Sequence, residues 1–242
     1  MRCLGRKLDL GRGAPYTAGV PQPKPSSFMA ERKRPRRTRE RIVETALALF
    51  NRFGEPHITT ADIADETGIS PGNLYYHFRN KDDIIAQLFA AFERQLDEVF
   101  ALPERRSASV EDLWFLLHLL FEAMWDHRFL FRDLDEILSR NRKLASRFAS
   151  ITRQGTKTVT GLCRDLVAAG AMRASEHEIA ALADNVVLVA TYWISYRRLS
   201  AGEGPTDAID FGRAAYQVLS LVAPFLHGEA RSLIDRLSSE YL

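Results

Sequence analysis

The chain has 242 residues, 46% of them apolar and 26% charged, and a formal net charge of +2. This is the make-up of a globular protein of one or two domains, long enough to bury a substantial core. No uninterrupted apolar run approaches the ~18 residues that span a bilayer, so no membrane partner is expected. The two cysteines, Cys3 and Cys163, form neither a metal pattern nor a disulfide framework, which predicts a reducing, cytoplasmic setting. The charge is unevenly spread. Residues 1–41 carry 12 Lys+Arg against 3 Asp+Glu, a net +9, and the other 201 carry 21 against 28, a net −7. A basic end on an acidic body favours phosphate contact at that end.

Residues 1–28 scatter Gly, Pro and Ser with no periodicity and are expected to be disordered. They lack the apolar core of a secretory signal. Met29 opens MAERKRPRRTRERI, which reads as a natural start, so the preceding residues are expected to be a dispensable extension. The basic tail 1–37 is expected to stay disordered up to the first helix.

From Thr38 the pattern is helical. Helix 1 is expected over about 38–53, with Ile42, Ala46, Leu49, Phe50 and Phe53 on one face. Gly54 caps it and Pro56 discourages continuation. Thr60 is expected to cap helix 2, about 61–67, with Asp62 near its positive end and Ile63 and Ala64 inward. Gly68 makes a tight turn. Ser70-Pro71 then starts helix 3 with a cap residue followed by proline at the first helical position. Leu74 and Phe78 anchor that helix, leaving Gly72, Asn73, Tyr75, Tyr76 and His77 on other faces. This layout is a helix-turn-helix whose second helix, small and polar at its start, can approach base edges.

The segment ITTADIADETGISPGNLYYHFRNKDDII resembles the DNA-binding head of the TetR/AcrR family of bacterial regulators. The match is carried by Thr60, Ile63, Ala64, Gly68, Ser70, the run Leu74-Tyr75-Tyr76-His77-Phe78, and Lys81. The resemblance covers roughly residues 38–85 and implies an all-α fold. In that fold residues 38–82 form a three-helix DNA-binding domain, and residues 83–242 a helical effector-binding and dimerisation domain. It makes helix 3 the recognition helix, with Pro71, Gly72, Asn73 and His77 nearest the bases. Tyr75, Tyr76, Thr60 and Lys81 are expected at phosphates. Arg36, Arg37 and Arg39 are expected to follow the minor groove or to add nonspecific attraction.

Helix 4 is expected over about 81–101, with Ile85, Leu88, Phe92, Leu96 and Val99 on one side, linking head to body. Helix 5, about 109–126, is rich in large apolar residues. Helix 6 follows through Asp133, Leu134, Ile137 and Leu138, and helix 7 covers about 141–169, ending at Gly170. Helix 8, about 175–199, is apolar on two faces: Ile179, Leu182, Val186, Val189 and Trp193, and separately Leu188, Tyr192 and Tyr196. After a loop at 201–205, helix 9 is expected over about 206–226 with Phe211, Ala215, Val218, Leu219, Val222 and Leu226. Surplus apolar surface on both predicts a homodimer through residues about 175–226, which is also where the resembled family pairs. A paired head would read a palindromic double-stranded operator, its half-sites ~34–36 Å apart or farther.

Aromatics with a few polar neighbours in the body suggest an apolar effector site. Its expected lining is Trp114, His118, Phe121, Trp125, Phe129, Tyr192 and Tyr196. His118 and His127 are nine residues apart, which fits no tight metal site. No phosphate loop, carboxylate pair or nucleophile elbow is present, so neither enzymatic activity nor a cofactor is expected. The sequence thus describes a DNA-binding regulator, expected to be a repressor released by a small, largely apolar ligand. A nucleoid-associated structural protein of the same fold, without an effector, is the alternative.

Overall fold

A computed structural model describes residues 28–101, 109–201 and 211–239, with side chains from residue 37 onward except at 201, 211 and 239. The described residues form α-helices and one 3-10 turn, with no strand among them. α1 (Phe28–Phe53), α2 (Thr60–Thr67) and α3 (Pro71–His77) make the head, and α4 (Lys81–Phe100) leads into the body. α5 (Val110–Asp126), α6 (Arg128–Arg132), α7 (Leu134–Arg140), α8 (Arg142–Ala168) and α9 (Glu176–Ala201) follow. α10 (Phe211–Val222), a 3-10 turn at Ala223–Phe225 and α11 (Gly228–Ser239) complete the body.

The head folds by local rules. Ile42, Ala46 and Phe50 recur every fourth residue on α1 and are wholly buried against Ile63, Leu74 and Ile84. α1 ends at Gly54, whose φ of +97° is one that side-chain-bearing residues rarely adopt. A Cβ there would also stand 3.2 Å from Arg132 Nη2. Thr59 caps α2 reciprocally with Asp62: the Asp62 amide donates to Thr59 Oγ1, and the Thr59 amide donates to Asp62 Oδ2 at 2.8 Å. Gly68, at φ +71°, reverses the chain into α3. The Ser70 hydroxyl accepts from the Asn73 amide, and Pro71 occupies the first helical position.

One continuous apolar core runs from the head along α4 into the body. α9 lies between α8 and α10. By length and a mean hydropathy of 1.4, α9 could cross a membrane. Here one of its faces, through Ile179, Leu182, Val186, Ala190 and Ile194, is buried in the body.

Several boundaries differ from those expected. α1 begins at Phe28 rather than Thr38, so residues 28–37 are helical where the basic tail was expected to be disordered; Arg, Lys, Glu and Ala are good helix formers. The rest of that tail lies outside the described residues. The cap of α2 is Thr59, one residue before Thr60, because only Thr59 places Asp62 three positions on to close the reciprocal pair. The single helix expected before residue 141 divides at Asp133 into α6 and α7. The last expected helix stops at Val222, since Pro224 forces the chain into a 3-10 turn. α11 was not anticipated, although Ala230, Ile234 and Leu237 have helical spacing; Ile234 is wholly buried. The expected loop at 201–205 falls largely among residues not described.

Candidate nucleic-acid interface and body cavity

α3 is pinned from behind and open in front. Leu74 and Phe78 are buried in the head, while Pro71, Gly72, Asn73, Tyr75 and Tyr76 are exposed. Tyr76 is 79% exposed and meets the His77 ring edge-on at 5.1 Å. Such exposure of a large aromatic suggests that something outside the chain covers it. Gly72 lacks positive φ, and a Cβ added to it would meet nothing within 4 Å. Nothing inside the chain therefore requires glycine in this helix, where it is a poor helix former. Tyr75 is held upright by a hydrogen bond of 3.0 Å between its hydroxyl and that of Thr60 on α2. The two residues thus form one polar ridge beside α3. Ser70 uses its hydroxyl as the helix cap.

The cations divide into two groups. Arg37 is exposed. The side chain of Arg36 lies outside the described residues. Arg39 stacks its guanidinium 4.6 Å above the Phe78 ring and donates to Gln87 Oε1 at 3.0 Å. It thereby reaches from α1 to the ends of α3 and α4 while staying exposed. Burial, and then the nearby charge of Arg39, hold the His77 pKa below that of an ordinary histidine. Arg79, exposed and directly after α3, was missing from the sequence reading. The signal for it was its position one residue beyond the anchor Phe78.

Lys81 also differs from its expected role as a phosphate anchor. Its ammonium lies 2.8 Å from Glu55 Oε1 and donates to the carbonyls of Glu55 and Ile58, each at 3.0 Å. All its protons face inward. Glu55 is wholly buried, and Arg140 of α7 approaches its other oxygen at 2.8 Å. The Glu55 amide donates to Asp133 Oδ2 at 3.0 Å, at the α6–α7 break. Beside this, the Asn51 side chain donates to the Asp126 carbonyl at 2.7 Å and accepts from the Phe129 amide at 3.1 Å. Arg132 donates to the Phe50 carbonyl. The end of α1 is thereby bolted to α5, α6 and α7 by a polar junction. Sequence inspection missed it because, Lys81 aside, its partners are 75 or more positions apart.

The body holds a partly open cavity of about 60 Å3 between α4, α5, α8 and α9. None of the seven residues expected to line a ligand site lines it. On α5 the wall is Leu113, Leu116, Leu117, Leu120 and Met124. Trp114, His118, Phe121 and Trp125 are one residue farther round the same helix, about 100° away. Trp114 stacks on the exposed His118 at 5.5 Å, and Trp125 lies under the Arg128 guanidinium at 4.2 Å. Phe121 is buried elsewhere in the core. Phe129 packs on Phe50 at the junction, 5.3 Å away. Tyr192 borders only an open outer depression of about 620 Å3, and the exposed Tyr196 borders neither space. Apart from the aspartates at its ends and the exposed stripe of Glu111, His118 and Glu122, α5 is apolar, so hydrophobicity alone could not select its cavity face; the neighbouring aliphatic stripe forms it.

α9 presents Leu188, Tyr192, Tyr196 and Leu199 outward along one stripe, with Leu199 88% exposed. α10 presents no matching face, because Ala215, Val218, Leu219 and Val222 are all buried within the chain. Surplus apolar surface expected on both helices is thus found on α9.

Residues 42–88 match the family described as bacterial regulatory proteins of the tetR family, and residues 91–234 match its bacterial transcriptional repressor domain. The chain belongs to the TetR family. A TetR-family regulator from Marinobacter aquaeolei is 35% identical, with 84% of this chain and 98% of that one covered and a TM-score of 0.75. CprB of Streptomyces coelicolor, whose structure contains its operator sequence, shares the fold at 18% identity, with coverage of 86% and 97% and a TM-score of 0.62. Among curated proteins, the transcriptional repressor KstR2 of Mycobacterium tuberculosis is 34% identical over 93 residues, 37% of this chain. The matched part spans about half that relative's length, 45%. The regulator TtgR of Pseudomonas putida is 29% identical over 126 residues, covering 50% of this chain and 59% of the relative. As in its family, the amino-terminal helices are a DNA-binding helix-turn-helix and the chain is a transcriptional regulator.

Proposed function

We propose that the protein is a homodimeric repressor whose two heads read a palindromic operator and which a small apolar ligand releases. The carrying observation is α3, anchored by Leu74 and Phe78, with Pro71, Gly72, Asn73, Tyr75 and Tyr76 exposed on its outer side. In this reading Gly72 and Pro71 let the helix seat in the major groove. Asn73 faces the bases, where an amide pairs bidentately with adenine, and His77 stands at the far end of the same helix. Tyr75, Tyr76, Thr60, Arg37 and Arg79 meet phosphates. The α9 stripe supplies the second copy, because one short recognition helix reads too few bases for useful specificity.

Release follows from the placement of α4. It begins at Lys81, beside the recognition helix, and three turns later its Phe92, Leu96 and Phe100 form a wall of the cavity. A ligand that parts α4 from α5 and α8 tilts the head carried by α4. Only differential affinity shifts the balance between conformers: a ligand binding the tilted form 100-fold better favours it by ~2.7 kcal/mol. Selection of bound duplexes from a random-sequence DNA pool tests the reading. It predicts recovery of a two-fold symmetric site, protected with two protomers per duplex. Recovery of no consensus would contradict it.

A further inference from the structure

The outer depression lies between two banks. Ala149, Arg153 and Thr156 stand on its α8 bank, and Asp184, Leu188 and Tyr192 on its α9 bank. Arg153 and Asp184 are the only charged residues that line it, one on each bank. Both are exposed, and neither has an ion-pair or hydrogen-bond partner among the described residues. Farther along the same two helices, Arg164 and Glu176 do pair, at 2.6 Å. Asp184 also continues the apolar stripe of α9. Asp184, Leu188, Tyr192, Tyr196 and Leu199 follow one another at steps of four and three, so they share one side of the helix, and all five are exposed. The stripe therefore begins with an acid and runs along the rim of the depression through Leu188 and Tyr192. An isologous interface sets one patch against itself, so that contact of one residue with a second implies the reciprocal contact. A patch with an unpaired cation on one bank and an unpaired anion on the other is self-complementary in this sense. A two-fold axis running between the banks brings opposite charges together at both ends, whereas a patch of one sign would repel its copy.

We propose that a second copy of this chain covers the outer depression, with Arg153 paired to Asp184 of the partner subunit and Asp184 to the partner's Arg153. The two α9 helices cross at Tyr192, the middle residue of the stripe. This rests on the homodimer reading and names the contact that makes it. α10 offers no matching apolar face, so α9 meets α9. The contact lies against the body cavity, because Phe148, Thr152, Val187 and Thr191 line both spaces. The second copy thus backs one wall of that cavity, which is complete only in the dimer.

The test uses the full-length protein, read by analytical ultracentrifugation and, with one variant mass-tagged, by native mass spectrometry. Arg153→Glu and Asp184→Arg are each expected to weaken self-association more than ~10-fold while circular dichroism is unchanged, because two-fold symmetry sets two like-charge pairs in the interface. Both changes in one chain should restore association. An equimolar mixture of the two single variants should form mixed dimers in preference to either homodimer, since every reversed charge then meets its opposite. If a charge-reversed chain fails to fold, Arg153→Ala, Asp184→Ala and their double variant take its place. The double should then weaken association by less than the two singles combined. A dimeric parent whose single variants associate as tightly as it does would overturn the proposal, assign the depression to another occupant and leave the homodimer reading standing. So would a doubly reversed chain that stays as weak as the singles. Restoration in that chain without mixed dimers would mean that the two residues pair within one chain, and would also overturn it. A parent that is monomeric at every concentration would overturn the proposal and the homodimer reading together.

Discussion

Replacing Lys81 by Met separates two physical roles for one cation. The ammonium lies 2.8 Å from Glu55 Oε1 and donates to two backbone carbonyls at 3.0 Å, and Glu55 has no solvent exposure. Methionine keeps the stem and removes the charge, leaving a buried carboxylate paired among the described residues with Arg140. Removing one partner of a fully buried pair costs ~3–5 kcal/mol. The Lys81 side chain keeps 23% of its exposure and Arg140 still neutralises Glu55, so a loss of ~2–3 kcal/mol is expected. Urea unfolding at neutral pH measures it. Glu55→Gln combined with Lys81→Met should lose less than the sum of the two single changes, because they share one interaction. DNA binding gives the second readout. Each phosphate neutralised adds ~0.9 to the slope of log affinity against log salt. The slope should therefore be unchanged in Lys81→Met protein that remains folded. A stability loss under ~0.5 kcal/mol together with a slope shallower by ~0.9 would refute the inward-facing role.

Four other outcomes are expected. Gly72→Ala should leave the fold intact or stabilise it by ~0.5 kcal/mol, while weakening operator binding at least ~10-fold in a gel-shift titration. Leu188→Asp with Tyr196→Asp should shift the protein to monomer in analytical ultracentrifugation, since two charges within the α9 stripe oppose its burial. Burial holds the His127 pKa below its ordinary 6.5, outweighing the opposing hydrogen bond to Ala123 and the charge of Asp126. Its neutral form is therefore the folded one, its stabilising share is complete above pH ~6.5, and that share is lost as pH falls below it. Urea midpoints between pH 7 and 5 should fall less steeply in His127→Leu than in the parent protein. Burial raises the Cys163 thiol to about 11, so its peptide should resist iodoacetamide at pH 8 in the native protein and react in denaturant.

Local grammar made the head legible. Gly54, Gly68, Ser70-Pro71 and the alternation of Leu74 and Phe78 with exposed neighbours each act within a few residues, and the structure follows them closely. The polar junction was invisible for the opposite reason. Glu55 reads as a loop carboxylate until the fold brings Lys81 and Arg140 to it. Lys81 also illustrates that a cation near a recognition helix can be drawn inward by a buried acceptor. On α5, choosing aromatics over aliphatics selected the stripe one residue away from the cavity. On α10 the apolar spacing was read correctly as a face, but one chain suffices to cover it.

The stoichiometry and symmetry of the protein–DNA complex test the central claim most directly. Duplexes selected from random sequence, footprinted and weighed by sedimentation with the protein bound, should show an inverted repeat holding two protomers, with α3 variants such as Asn73→Ala relaxing preference at matching positions in both halves. A single protomer bound with undiminished affinity to an asymmetric site, or binding indifferent to sequence, would contradict it.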